Sequence, residues 1–208
     1  MTESARDTPG LVLRTREGRP FRFDPGALCL ELLPTGGLGR YAAYEVLHEP
    51  ADLVRWAGES RLPAGLALSV SAGELELGRE LRAALWRLTG SRVEGREPAP
   101  EDLEVVNAVA AAPPLVARIG ADGRRAWAPG ATGTALLSTV ARDAVDLFTG
   151  PFAERVRVCE AHNCALLFVD TSRPGRRRWC AMERCGNRHK VRAHRARRTA
   201  TETAEEDT

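Results

Sequence analysis

Residues 159–164 read C-E-A-H-N-C, residues 165–179 A-L-L-F-V-D-T-S-R-P-G-R-R-R-W, and residues 180–198 C-A-M-E-R-C-G-N-R-H-K-V-R-A-H-R-A-R-R. Four of the chain's five cysteines lie here as two C-x4-C pairs, and the remainder holds only Cys29. A tetrahedral zinc site takes four thiolates at about 2.3 Å from the metal, and two close pairs can supply them. We therefore expect Cys159, Cys164, Cys180 and Cys185 to hold one structural zinc ion. Disulfides are the competing use of paired cysteines, but they suit secreted chains, and residues 1–20 contain no sustained apolar run. His162 lies inside the first pair; with four cysteines present we leave it out of the cage. Residues 166–169 favour a strand, Arg173-Pro174-Gly175 is turn chemistry, and Arg178-Trp179 returns. The expected device is a hairpin that carries the second pair back to the first.

Charge is segregated in the same region. Between residues 155 and 198, thirteen Lys/Arg stand against Glu160, Asp170 and Glu183, although the whole chain is only +2. One cluster is Arg176, Arg177 and Arg178; the other is Arg188, Lys190, Arg192, Arg195, Arg197 and Arg198. On a helix, Arg188, Arg192 and Arg195 share one face, and Lys190, His194 and Arg197 share its neighbour. With only Val191 and alanines to pack, such a helix needs an anionic partner. Phosphate backbones meet that need, because Arg forks match phosphate oxygens and displace counterions. A solvated Arg-rich tail is the plainer alternative. Asn187 and Arg188 are candidates either for base reading, through adenine or guanine pairing, or for holding the knuckle backbone.

The string R-R-W-C-A-M-E-R-C-G-N-R-H-K (177–190), preceded by F-V-D-T-S-R (168–173), closely resembles the signature of CGNR zinc-finger proteins. That resemblance implies a zinc-binding, DNA-binding module at the C-terminus. It also implies an N-terminal domain of the ABATE type, in proteins regarded as stress-induced transcription regulators. E-P-A-D-L-V-R-W (49–56) resembles a helix of that domain. Two departures stand out. Ala181 replaces an expected serine that would cap the last helix. In A-L-C-L-E-L-L-P-T (27–35), Glu31 and Pro34 replace an aspartate and an asparagine, so no binding role passes to them.

The 208 residues, 43% hydrophobic, leave room for a medium domain and a small module. We expect an α+β protein: a mostly helical N-terminal domain with a small β-hairpin (1–150), a treble-clef-like zinc hairpin-helix module (151–198), and an acidic disordered tail (199–208). Within the first part, residues 11–23 read as a hairpin around Glu17-Gly18, and 27–35 open the core with Cys29 buried. Residues 36–39 read as a loop. Pro50 starts a helix with Leu53, Val54, Trp56 and Ala57 inward. Ser71 and Glu74 form a capping box for a helix running to Gly90, and a charged loop spans 91–98. Residues 100–112 form a helix whose stripe is Leu103, Val106, Val109 and Ala110. A hairpin follows over 115–127, a hinge-like link over 130–133, and a helix over 135–148.

No catalytic set announces itself. His48 has no nucleophile beside it, and neither a Walker loop nor a dinucleotide fingerprint is present. The longest apolar stretch, 108–117, is broken by Pro113-Pro114, so no membrane span is expected. Arginine outnumbers lysine 29 to 1, which suggests a GC-rich bacterial gene. The expectation is a cytoplasmic, non-enzymatic, zinc-dependent DNA-binding regulator. Its N-terminal domain would sense a small-molecule ligand or form a homodimer. An RNA-associated zinc protein, or an enzyme with a purely structural zinc, are the alternatives.

Overall fold

Residues 10–15, 17–37, 39–188 and 190–191 are described by the computed structural model; Arg192, Arg195, Arg197, Arg198 and the 199–208 tail lie outside them. The chain opens with an antiparallel hairpin, β1 (Leu11–Arg14) and β2 (Pro20–Phe23), with Leu11 opposite Phe23. Next comes α1 (Leu28–Leu32), buried on every side; its one charged residue, Glu31, accepts Nε of Arg61 at 2.9 Å. Helix α2 (Pro50–Glu59) starts at its proline and buries Leu53, Trp56 and Ala57.

The Ser71–Glu74 capping box opens α3 (Ala72–Val93), the longest helix among the described residues. It does not stop at Gly90. Glycine weakens a helix without ending it, and here Ser91 is buried while the Glu94 N–H closes on the Gly90 carbonyl at 3.0 Å. The expected 91–98 loop is correspondingly shorter. In α4 (Pro100–Ala111) the expected stripe is corrected at one position: Leu103 is exposed and Asp102 is buried. Asp102 accepts Nε of Arg87 at 2.8 Å, so an ion pair with α3 sets the roll of the helix.

Strands β4 (Ala117–Ile119) and β5 (Arg125–Trp127) form the second hairpin as expected. The supposed hinge at 130–133 is instead structured. Ala131–Thr132 (β6) pairs in parallel with Leu68–Ser69 (β3), and Thr132 caps α5 (Gly133–Thr149). Helices α1, α3, α4 and α5 pack together around Leu30, Leu81, Leu85, Leu136, Leu137 and Val140. Cys29 belongs to this core, where burial first, and then the Asp143 carboxylate, push its thiol pKa well up. It is a packing residue, not a nucleophile.

After α5 the chain forms β7 (Val156–Val158) and β8 (Leu167–Val169), which pair antiparallel. Strand alternation makes β8 a shared wall. Leu167 and Val169 enter the main core, whereas Phe168 faces a second, smaller core that contains the cysteines. The Val169 N–H donates to the Pro25 carbonyl at 2.7 Å. Gly26, at φ +86°, lets the chain pass so close that a Cβ there would lie 3.1 Å from that of Val169. Among the described residues no helix is long and apolar enough to cross a membrane.

Candidate metal centre and cationic rim

Cys159 and Cys164 sit in a knuckle between β7 and β8. It is closed by Cys164 N–H on the Ala161 carbonyl and Cys159 N–H on Leu166, both at 2.9 Å. The strand run at 166–169 therefore pairs backward with β7 and not with Arg178-Trp179. The reason lies in Asp170, buried directly after β8. Its carboxylate accepts the Ser172 N–H (3.0 Å), the Ser172 hydroxyl (2.5 Å) and the Arg177 N–H (2.9 Å). That curls the chain into a turn completed by Gly175. Burial alone would raise the Asp170 pKa, but these hydrogen bonds outweigh it and leave the carboxyl below its ordinary range.

The return segment then meets the knuckle through two backbone N–H donations. Glu160 N–H donates to the Arg178 carbonyl at 3.1 Å, and Cys180 N–H donates to Cys159 Sγ at 3.4 Å. Beyond Ala181 a π-helical turn, Met182–Gly186, brings Cys185 round. Gly186 is packed tightly: a Cβ there would lie 2.7 Å from the Met182 sulfur and 3.3 Å from the Trp179 ring. Ala181 occupies the cap position with no side-chain hydrogen bond, and only its carbonyl accepts the Cys185 and Gly186 N–H groups.

The four Sγ atoms lie within 4.8 Å of one another. Cys164 to Cys180 is 3.7 Å and Cys180 to Cys185 is 3.6 Å, and all the cysteines are free of disulfides. Ligands 2.3 Å from a central ion at tetrahedral angles stand about 3.8 Å apart, so the donor set fits a zinc ion. Crowding makes the sulfurs contend for protons. Hydrogen bonding, foremost from Cys164, drives the Cys159 pKa far down, while Cys159 in turn drives Cys180 and Cys185 far up. Cys164 is pushed up by Cys159, but Cys180 and Cys185 outweigh that and leave it at about 7. A dication at the centre relieves that contention, because it favours the thiolate at every position. His162 is exposed and outside the cluster.

The arginine cluster of the return segment divides. Arg176 is exposed. Arg177 is committed inward, with Nη2 donating to the Cys180 carbonyl (2.6 Å) and the Asp24 carbonyl (2.9 Å) and its guanidinium 4.3 Å from the Phe168 ring. Arg178 pairs with Glu160 at 2.6 Å and lies over Trp179. Past the π-turn the chain continues helically, with Asn187, Arg188 and Lys190 exposed. Asn187 Nδ2 donates to the Glu183 carbonyl at a long 3.5 Å.

Sequence reasoning missed two contributors. Phe21 and Phe23 of the N-terminal hairpin pack against Cys159, Cys180 and Cys185, and the Arg184 guanidinium lies 4.4 Å from the Phe21 ring. Phe21 and Phe23 alternate along β2, a pattern that announces an apolar face but not what covers it.

Fold and donor set together define a helical α+β domain fused to a four-cysteine zinc finger. Residues 26–151 match the ABATE family model, described as "Putative stress-induced transcription regulator", and residues 155–198 match the CGNR zinc finger. The first match covers more than half of the chain, which therefore belongs to the ABATE family and carries a CGNR finger binding one structural zinc ion. Neither description is enzymatic. No curated protein matches the chain.

Proposed function

We propose that the protein is a DNA-binding transcription regulator whose zinc finger meets the duplex. The observation that carries this reading is the exposed run of Asn187, Arg188 and Lys190 on the helical segment leaving the zinc-held turn. In sequence it continues into Arg192, Arg195, Arg197 and Arg198. Zinc supplies no reaction here; it neutralises the thiolates and locks the turn from which the basic segment departs. Arg176 adds a second cationic edge beside Arg178, whose charge is shared with Glu160, while Arg177 serves the fold. Phosphate contact follows from charge alone. Base reading falls to Arg188, because the bond from Asn187 to Glu183 favours a local structural role. The helical domain is left as the regulatory half, for sensing a ligand or pairing two copies.

The test is binding of the zinc-loaded chain to a genomic fragment library across a salt series, beside Cys180→Ser with its metal content assayed. Enriched sequences that the variant loses, together with zinc, support the reading. An intact, zinc-loaded protein that retains no fragment at low salt overturns it, and retention of single-stranded RNA alone would move the function to RNA.

A further inference from the structure

Residues 10–25 lie outside both family matches, which begin at 26 and 155. The structure seats them on the finger. The inward row of the β1–β2 hairpin is apolar, with Phe21 and Phe23 against the cysteine core and Leu13 beside them. Along its length the hairpin follows the segment that launches the basic helix. The Arg22 N–H donates to Glu183 Oε1 at 2.6 Å, and the Arg184 guanidinium stacks on Phe21. The Thr15 hydroxyl foremost, and Arg188 and Arg19 to a smaller extent, hold the Glu17 carboxyl below its ordinary range.

The outward row differs in kind. Val12, Arg14 and Pro20 are exposed, Arg22 is half-buried, and Arg19 is exposed at the turn. Arg14 Nη1 donates to the Gly18 carbonyl at 3.0 Å, which braces the tip while leaving the guanidinium at the surface. Two acids dilute this charge. Glu183 is already engaged by the Arg22 N–H, which leaves Glu17 as the acid at the tip. An isolated two-stranded hairpin is marginal in water, so its seat on the metal core fixes where these arginines point.

We propose that the 11–23 hairpin is a cationic wing of the finger, with Arg14 and Arg19 contacting duplex phosphates beside those met by Arg188 and Lys190. This rests on the DNA-binding reading above. A duplex suits the arrangement, because two cationic projections joined through the Arg22–Glu183 contact can follow a phosphate backbone, and each neutralised phosphate releases counterions.

The experiment uses the full zinc-loaded chain and a fluorescent duplex carrying an enriched site, titrated over a salt series. Arg14→Gln combined with Arg19→Gln tests the wing, and Arg188→Gln combined with Lys190→Gln tests the helix; zinc content and melting are checked for each. Both pairs are expected to weaken binding several-fold and to lower the salt slope by about 1–2, since each lost phosphate contact removes roughly 0.9. If only the helix pair lowers the slope, the wing is wrong and the DNA reading stands. If the unmutated chain does not bind duplex at all, both fall together. Should the wing pair lose zinc, Arg19→Gln alone, which leaves the Arg14–Gly18 brace in place, decides the matter: it should lower the salt slope by roughly 0.9, and an unchanged slope overturns the wing.

Discussion

At the scale of single residues, Ala181 leaves the π-turn without a side-chain cap. It caps the π-turn with its carbonyl only, while the N–H groups ahead of it have no side-chain acceptor from the cap. Ala181→Ser should add about 0.5–1 kcal/mol to the stability of the finger and slow zinc transfer to a competing chelator. An unchanged transfer rate would show that the turn is not limiting. The four ligands were legible because metal geometry constrains local spacing, which sequence displays directly. Arg177 was not. It sits between two other arginines in the chain, and only the fold reveals that its donors go to the Cys180 and Asp24 carbonyls. Leu103 and Asp102 exchanged places for a similar reason, since periodicity in α4 cannot see the Arg87 partner on α3.

Among the elements, one carboxylate ties the start of α3 to the start of α5. Glu74 Oε2 accepts the Ser71 N–H at 2.8 Å as the capping box requires, and its Oε1 accepts the Thr134 N–H at 2.7 Å at the start of α5. Burial would raise the Glu74 pKa, but these bonds prevail and lower it. A lowered carboxyl pKa means that its stabilisation is fully present above the unfolded value of about 4.3 and is lost as pH falls through the folded one. Gln at this position keeps one acceptor oxygen and loses the other. Glu74→Gln should therefore cost about 1.5–3 kcal/mol at pH 7 and flatten the fall in stability below about pH 4.3, measured by urea unfolding from pH 3 to 7. A loss that is the same at every pH would contradict this account. The capping box was readable as a four-residue motif; its second role was not, because Thr134 lies sixty residues away. The β3–β6 pairing was hidden likewise, since two residues a side carry no periodic signal.

For the molecule as a whole, finger and helical domain meet through β8, which lines both cores, and the N-terminal hairpin packs on the cysteine cluster. Phe21→Ala should therefore weaken the zinc site without touching a ligand. Losing a buried Phe costs about 3–5 kcal/mol, and the loss should appear as faster chelator-driven zinc release with the helical circular dichroism retained. Release at the unmutated rate would show the hairpin to be merely adjacent. The helical class and the small hairpins could be expected from patterning alone. The union of the first strands with the last cysteines could not, because nothing local encodes a contact across 161 positions.

That union bears on how the protein is made. The hairpin leaves the ribosome before the finger, but Phe21 and Phe23 gain their cover only after Cys185 has followed, 162 residues behind Phe23. At roughly 5–20 residues per second, translation leaves that apolar face bare for about 8–32 s. During that interval it is a landing place for chaperones and a starting point for aggregation. Zinc cannot be caged by all four cysteines before Cys185 is synthesised. A cell short of the metal would accumulate chains whose earliest strands never find their seat.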